Sequence, residues 1–182
     1  LTNMGFTAAD MTALPFVDGS FDCVTCRLGL MHTTEKAAAA TEARRVLRPG
    51  GRAAYVVWGA YEDNPRFHVP RRAVAAFFNE PEETGAARHS LSRPGTVKGI
   101  LDAAGFEGTR ERELGYSRRV KDADNYVAGG LKRSFAKKVK GLAGPEFDAL
   151  KQAVLAAWQP YIKDAILTVP YRARLGIGWK GA

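Results

Sequence analysis

Two short apolar runs flank an alanine-rich amphipathic stretch, and this alternation organises the first third of the chain. Phe21-Asp-Cys-Val-Thr-Cys26 reads as a strand. Residues 33–47 place Ala39, Ala40, Ala43, Val46 and Leu47 on one face at helical spacing. Thr33 or Thr34 can cap this helix, and Glu35 suits its first turn. Pro49-Gly50-Gly51 should end it, because proline cannot continue a helix and glycine takes the positive-φ positions that follow. Arg52 to Trp58 is almost wholly apolar, the pattern of a strand covered on both faces.

The pattern continues less sharply. Residues 59–70, with Asn64-Pro65, read as a loop, and Arg71 to Asn79 as a short helix. Residues 80–91 are polar and turn-like. A helix is expected from Ser92-Arg93-Pro94 to Ala104, stopped by Gly105, and a third strand from Phe106 to Leu114. Asp122 can cap a helix containing Tyr126 and Val127, which Gly129-Gly130 should interrupt. Pro145 opens a long amphipathic helix with the stripe Phe147, Leu150, Val154, Ala157, Trp158 and Tyr161, and Pro160 should kink or end it. Ile166 to Ile177 is the last expected strand. Strands alternating with helices predict an α/β sheet with right-handed crossovers.

Composition narrows the class. The 182 residues, 46% hydrophobic and 25% charged, suit one globular domain with an appended subdomain. No apolar run approaches the ~20 residues of a membrane-spanning helix. Cys23 and Cys26 form C-x-x-C, but both lie on the first strand, where side chains three apart face opposite ways. They are expected to be small buried apolar residues, and no metal site is expected. Two cysteines suit a reducing, cytoplasmic setting. The net charge of +8 is uneven: eight basic and two acidic residues lie between Arg118 and Lys140, a net of +6. Such a stretch could attract an anionic substrate, nucleic acid or an anionic membrane, or form a solvated helix face. With Phe135 the one aromatic in its basic run from Lys132 to Lys140, it lacks the interleaved rings of a base-stacking surface, which argues against nucleic acid.

The order of Asp10-Met-Thr-Ala-Leu-Pro-Phe16, Asp18-Gly-Ser-Phe-Asp22, the first strand, Arg27-Leu-Gly-Leu-Met-His32, a helix, Arg48-Pro-Gly-Gly51 and a second strand resembles the second half of a class I S-adenosylmethionine-dependent methyltransferase domain. It is most similar to the group that includes the ubiquinone and menaquinone biosynthesis enzymes. The resemblance is strong over residues 6–58, moderate over 92–114 and the last strand, and poor over 115–163. It implies a Rossmann-like methyltransferase sheet, ordered three-two-one-four-five-seven-six with the seventh strand antiparallel. The four strands here would be the fourth to seventh. Residues 1–114 would form the C-terminal half of the core, 115–163 a helical cover near the acceptor, and 164–182 a strand returning to the sheet. In the family the Gly-rich loop that holds the cofactor's methionine end lies upstream of this stretch. The chain, opening on Leu1, is therefore expected to be a truncated methyltransferase, inactive alone, with strand 21–26 exposed to self-association.

The resemblance also implies site residues, and S-adenosyl-L-methionine as cofactor. Asp10 would accept a hydrogen bond from the adenine amino group and Met11 would flank the ring; the alternative is that Asp10 caps a turn. Main-chain groups of Arg27 and Leu28 would pass beneath the sulfonium and methionine portion, while the Arg27 side chain could instead pair with an acid. His32 is the histidine best placed for acid–base work, or a structural residue beside the helix start. Trp58, Tyr61 and Phe67, near the carboxyl end of the second strand, could line a pocket for a small planar acceptor, or simply pack beneath a loop. Two other function classes stay open. One is a non-catalytic interaction module derived from a methyltransferase. The other is a nucleic-acid-binding protein using residues 118–140.

Overall fold

The computed structural model describes residues 3–182. Its elements are mixed α/β and fall into two compact units. Among the described residues, the first comprises 3–59, 87–114 and 173–182, and the second 60–86 and 115–172.

In the first unit β1 (Phe21–Arg27) pairs in parallel with β2 (Leu47–Trp58), joined by helix α1 (Lys36–Val46). This is the crossover that parallel strands require. β2 pairs on its other side with β5 (Ile166–Trp179), antiparallel, from Arg52↔Trp179 to Trp58↔Ala173. The strand order is β1-β2-β5-β3, where β3 is Glu107–Val120, and the two-residue β4 (Ile162–Lys163) forms a hairpin with β5. Helix α3 (Thr96–Ala103) lies against α1. The buried core of this unit includes Ala40, Val46, Leu47, Ala53, Val57, Val97 and Leu101.

The contact between α3 and β5 is unusually close. A Cβ at Gly176 would overlap Val97 Cγ1, and one at Gly178 would stand 2.8 Å from Phe106 Cβ. Both glycines lie on one face of the strand, so the backbone itself forms the surface on which Val97, Leu101 and Phe106 sit.

The second unit is helical. Helix α2 (Pro65–Phe78) packs on α6 (Gly144–Trp158), which also contacts α4 (Ala123–Ser134); a short α5 (Ala136–Val139) follows α4. Its core includes Val74, Val127, Leu131, Leu150, Val154 and Trp158. Asn64, fully buried, fastens this unit. Its Nδ2 donates to Ala60 O at 2.8 Å and to Arg172 O at 3.1 Å, and its Oδ1 accepts from Arg172 N at 3.0 Å.

Several expectations from sequence are corrected. The second half of the loop expected at 59–70 is helix: α2 begins at Pro65, whose fixed φ suits a first helical position, and Pro70 is carried within it. Gly129-Gly130 do not interrupt α4. Helix α1 starts at Lys36, not Thr33, because residues 30–32 form a separate 3-10 turn. Pro49-Gly50-Gly51 does not lie between helix and strand. β2 already begins at Leu47, and the register jumps from Phe21↔Leu47 to Cys23↔Arg52, so the turn is absorbed as an irregularity in the ladder. Cys23 and Cys26 are not buried: Cys23 is exposed and Cys26 half-buried. β1 stands at the end of the strand order, with its residues exposed or half-buried.

Candidate functional site

The carboxyl ends of β1 and β2, the end of a parallel pair where α/β folds bind ligands, form the most unusual backbone in the first unit. β1 ends at Arg27. Leu28 then adopts φ 59°, while its N–H donates to Val56 O at 2.8 Å. Three other non-glycine residues have positive φ, each for a local reason. Asn79 caps α2, and Asp164-Ala165 make the two-residue turn between β4 and β5. Leu28 has no such reason, and a left-handed leucine costs about 1–2 kcal/mol. Strain of this kind is characteristic of ligand sites.

Gly29 follows. A Cβ there would stand 2.9 Å from Cys26 Sγ and 3.7 Å from Met11 Cε. The turn after β1 is therefore drawn tightly against the strand, and Met11 lies over it. Residues 10–11 and 27–29, far apart in the sequence, come together here. Leu30 and Met31 then bury themselves in a 3-10 turn ending at His32. The His32 side chain is exposed and makes no hydrogen bond among the described residues, while its N–H donates to Gly29 O at 2.9 Å. The Arg27 side chain is likewise exposed and forms no ion pair among the described residues.

Asp10 caps a turn. Its Oδ1 accepts from Thr12 N and Thr12 Oγ1, both at 2.8 Å, and these bonds, the backbone one first, hold its carboxyl below the usual range. Its Oδ2 makes no hydrogen bond among the described residues, so the cap leaves one oxygen for another donor.

A group not singled out from sequence holds this loop in place. Arg45, on α1, donates through Nη1 to Phe16 O (2.8 Å) and Asp18 Oδ1 (2.6 Å), through Nη2 to Leu14 O (2.9 Å), and through Nε to Glu42 Oε1 (2.8 Å). Glu42 Oε2 accepts from Leu14 N at 2.9 Å. One planar fork thus ties three points of residues 14–18 to the helix. The hydrogen bond from Arg45, then that from Leu14, lowers the Glu42 carboxyl from 4.5 to about 2. A depressed carboxylate stabilises the fold above its unfolded pKa and loses that contribution as pH falls through the folded value. The loop at 12–18 is accordingly expected to stay ordered at pH 5 and to loosen before the core as pH falls from about 4.5 towards 2. Amide exchange at Leu14 and Asp18 checks this; uniform loosening of the whole unit would contradict it. The shift in pH should be modest, since Asp18 is largely exposed and solvent screens its share.

The aromatic candidates are divided between the units. Trp58, at the end of β2, is buried in the first. Tyr61 and Phe67 are buried in the second. Tyr61 Oη donates to Glu82 Oε1 at 2.6 Å, and its ring meets His68 edge-on at 6.0 Å. Phe67 carries the guanidinium carbons of Arg66 at 5.1 Å and Arg71 at 5.7 Å over its ring.

The spacing Gly176-x-Gly178-x-x-Gly181 matches the pattern of a dinucleotide-binding loop, which corrects the expectation that the chain holds no such pattern. The structure excludes that role. Gly176 and Gly178 lie inside β5, paired with Tyr55 and Ala53 of β2, whereas the loop needs to leave the strand and turn into a helix N-terminus.

Comparison with known proteins bears on this geometry. Residues 2–55 match the family described as "Methyltransferase domain". This stretch is similar to that family. It contains Asp10, Met11, Arg27, Leu28 and the whole of the turn just described. A ubiquinone/menaquinone biosynthesis C-methyltransferase of Marinomonas sp. is 31% identical over 123 residues, covering 62% of this chain and 49% of that protein. The protein of the same name from Serratia proteamaculans is 33% identical over 117 residues, covering 58% and 46%. The chain thus spans about half the length of the curated relatives it matches. Among solved structures, a Bacillus halodurans protein described as a methyltransferase superposes on 100% of this chain and 79% of its own, with a TM-score of 0.55 and 17% identity. The fold is that of the Rossmann-like methyltransferases. No helix among the described residues is long and apolar enough to cross a membrane, and no group of three or more His, Cys, Asp or Glu among them could hold a metal ion.

Proposed function

We propose that the first unit supplies the adenine-side half of an S-adenosyl-L-methionine site in a methyltransferase acting on a small molecule. The observation that carries this is the strained Leu28–Gly29 turn with Met11 against it, at the carboxyl end of a parallel strand pair. Asp10 accepts the adenine amino group on Oδ2, the oxygen its turn does not use. Met11 covers a face of the ring, and the main chain of Arg27 and Leu28 borders the methionine portion. When bound, the cofactor supplies a methyl group already carried on a good leaving group. The chain then has to align an acceptor and exclude water. His32, exposed at the end of the same turn, takes a proton where the acceptor must lose one.

The strand order β1-β2-β5-β3, with β5 antiparallel to β2, fits the fourth, fifth, seventh and sixth strands of the family sheet. The half-length match to the relatives supports this. On this reading residues 1–114 and 164–182 are core and 115–163 a cover.

Two outcomes follow. The 182-residue chain alone should bind S-adenosylhomocysteine weakly, with Kd of ~1 mM or above. When these residues are joined to a complete Gly-rich half, Asp10→Ala should weaken binding roughly ten-fold, as loss of one charge-assisted hydrogen bond does. Calorimetry reads both; an unchanged Kd in the variant removes Asp10 from the site.

A further inference from the structure

The second unit contains a cleft whose chemistry the methyltransferase reading does not use. Its cavity is about 100 Å³ and opens to solvent. The aromatic rings of Tyr126, Trp158 and Tyr171 line it, and its floor is the buried Val127, Leu131 and Val154. At the mouth stand three arginines, Arg66, Arg118 and Arg133, all exposed. No aspartate or glutamate lines it.

That charge distribution is unusual for this unit. Its other basic side chains include several with carboxylate partners: Arg72 pairs with Glu82, Lys138 with Glu80, and Lys151 with Asp124. Arg118 and Arg133 form no ion pair among the described residues. Two of the mouth arginines are also pre-oriented. Arg118 lies over Tyr126 at 5.8 Å, and Arg66 lies over Tyr171 at 5.5 Å. A guanidinium held over a ring loses little freedom when it grips a planar anion. Tyr126 is pushed up to about 12, by burial first and then by Tyr171, so its phenol remains a neutral hydroxyl at the wall.

The glycine pair in α4 points to the same place. Two adjacent glycines in a helix cost about 1 kcal/mol each relative to alanine, yet α4 runs through both. A Cβ at Gly129 would stand 3.0 Å from Arg133 Nη1, so this guanidinium folds onto bare backbone. Gly130 lines the cleft, and a Cβ there would meet nothing within 4 Å. A larger residue at 130 would stabilise the helix and fill the cleft; glycine keeps it open.

We propose that this cleft is a binding site for a small aromatic carboxylate. The flat apolar body packs among Tyr126, Trp158 and Tyr171, and the carboxylate is held by the arginine forks at the mouth. Arginine favours such planar, two-point recognition. Phosphate shares the charge but not the ring, and is the alternative that the test separates. The site lies wholly within the second unit, and it stands whether or not the first unit holds a cofactor.

The test is calorimetric titration of the 182-residue chain with sodium 2-naphthoate, 2-naphthamide and inorganic phosphate. Naphthoate should bind with Kd near ~100 µM, the neutral amide at least ten-fold more weakly, and phosphate at least ten-fold more weakly. Arg118→Gln combined with Arg133→Gln should weaken naphthoate at least ten-fold. Gly130→Leu should abolish binding while the melting temperature stays the same or rises, which separates a blocked cleft from a damaged fold. No naphthoate binding, equal binding of the amide, phosphate as tight as naphthoate, or an unaffected Gly130→Leu variant would each overturn the proposal.

Discussion

Gly176→Val should prevent the first unit from folding, the largest effect expected of any single substitution here. Even a Cβ at this position overlaps Val97 Cγ1 and comes within 3.4 Å of Leu101 Cδ1. Val97 and Leu101 are fully buried on α3, so neither can swing aside into solvent. α3 would have to lift from β5, exposing both residues and Phe106 together. Overpacking typically costs about 1–3 kcal/mol, and more where the obstruction is rigid. Gly176→Ala should therefore cost about 3 kcal/mol, and the branched valine more than a domain of this size can spare. Thermal unfolding of the alanine variant and the yield of folded valine variant check this. A valine variant that melts like the parent would show that α3 does not sit on β5 as described.

Asn64→Ala should destabilise the second unit by about 3–4 kcal/mol, the cost of stripping three hydrogen bonds from a buried place. The side chain bonds both the N–H and the C=O of Arg172, and the C=O of Ala60, with no exposure to water. Alanine would leave those groups without the partner they use and no solvent to replace it. Asn64→Asp should restore only the acceptor half, since a carboxylate cannot donate to the two carbonyls, and it adds a buried charge. Denaturant melts of both variants should show midpoints well below the parent with an unchanged slope. A loss under 1 kcal/mol in Asn64→Ala would mean that water reaches the site.

The sequence made some of this legible and hid the rest for physical reasons. The strand–helix–strand of the first unit was clear because apolar period and alanine content agree over residues 21–58. Cys23 was read from its apolar strand as a buried residue, but it is exposed on β1. The helix at Pro65 was missed because Asn-Pro serves equally as a turn and as a helix start; the deciding contact is with Arg172, 108 residues away. The Gly129-Gly130 pair reads as a breaker by propensity, and packing of α4 on α6 overrides it. Within the candidate site, Asp10, Met11, Arg27 and Leu28 came from the motif. The Arg45–Glu42 clamp could not, because it grips the loop chiefly through backbone groups of Leu14 and Phe16, which leave no mark on the sequence. Gly176-x-Gly178 did leave one: two glycines at strand period signal a close approach to one face.

The central claim is that residues 10–11 and 27–29 form one edge of a cofactor site. Amide NMR of the 182-residue chain during titration with S-adenosylhomocysteine to millimolar concentration tests it most directly, because weak binding still moves the resonances it touches. The account predicts shifts confined to Asp10, Met11, Leu28 and Gly29 and their immediate neighbours, saturating only at ~1 mM or above, and absent when adenine-free methionine replaces the ligand. Unmoved resonances at these four positions, or shifts centred elsewhere on the chain, would contradict it.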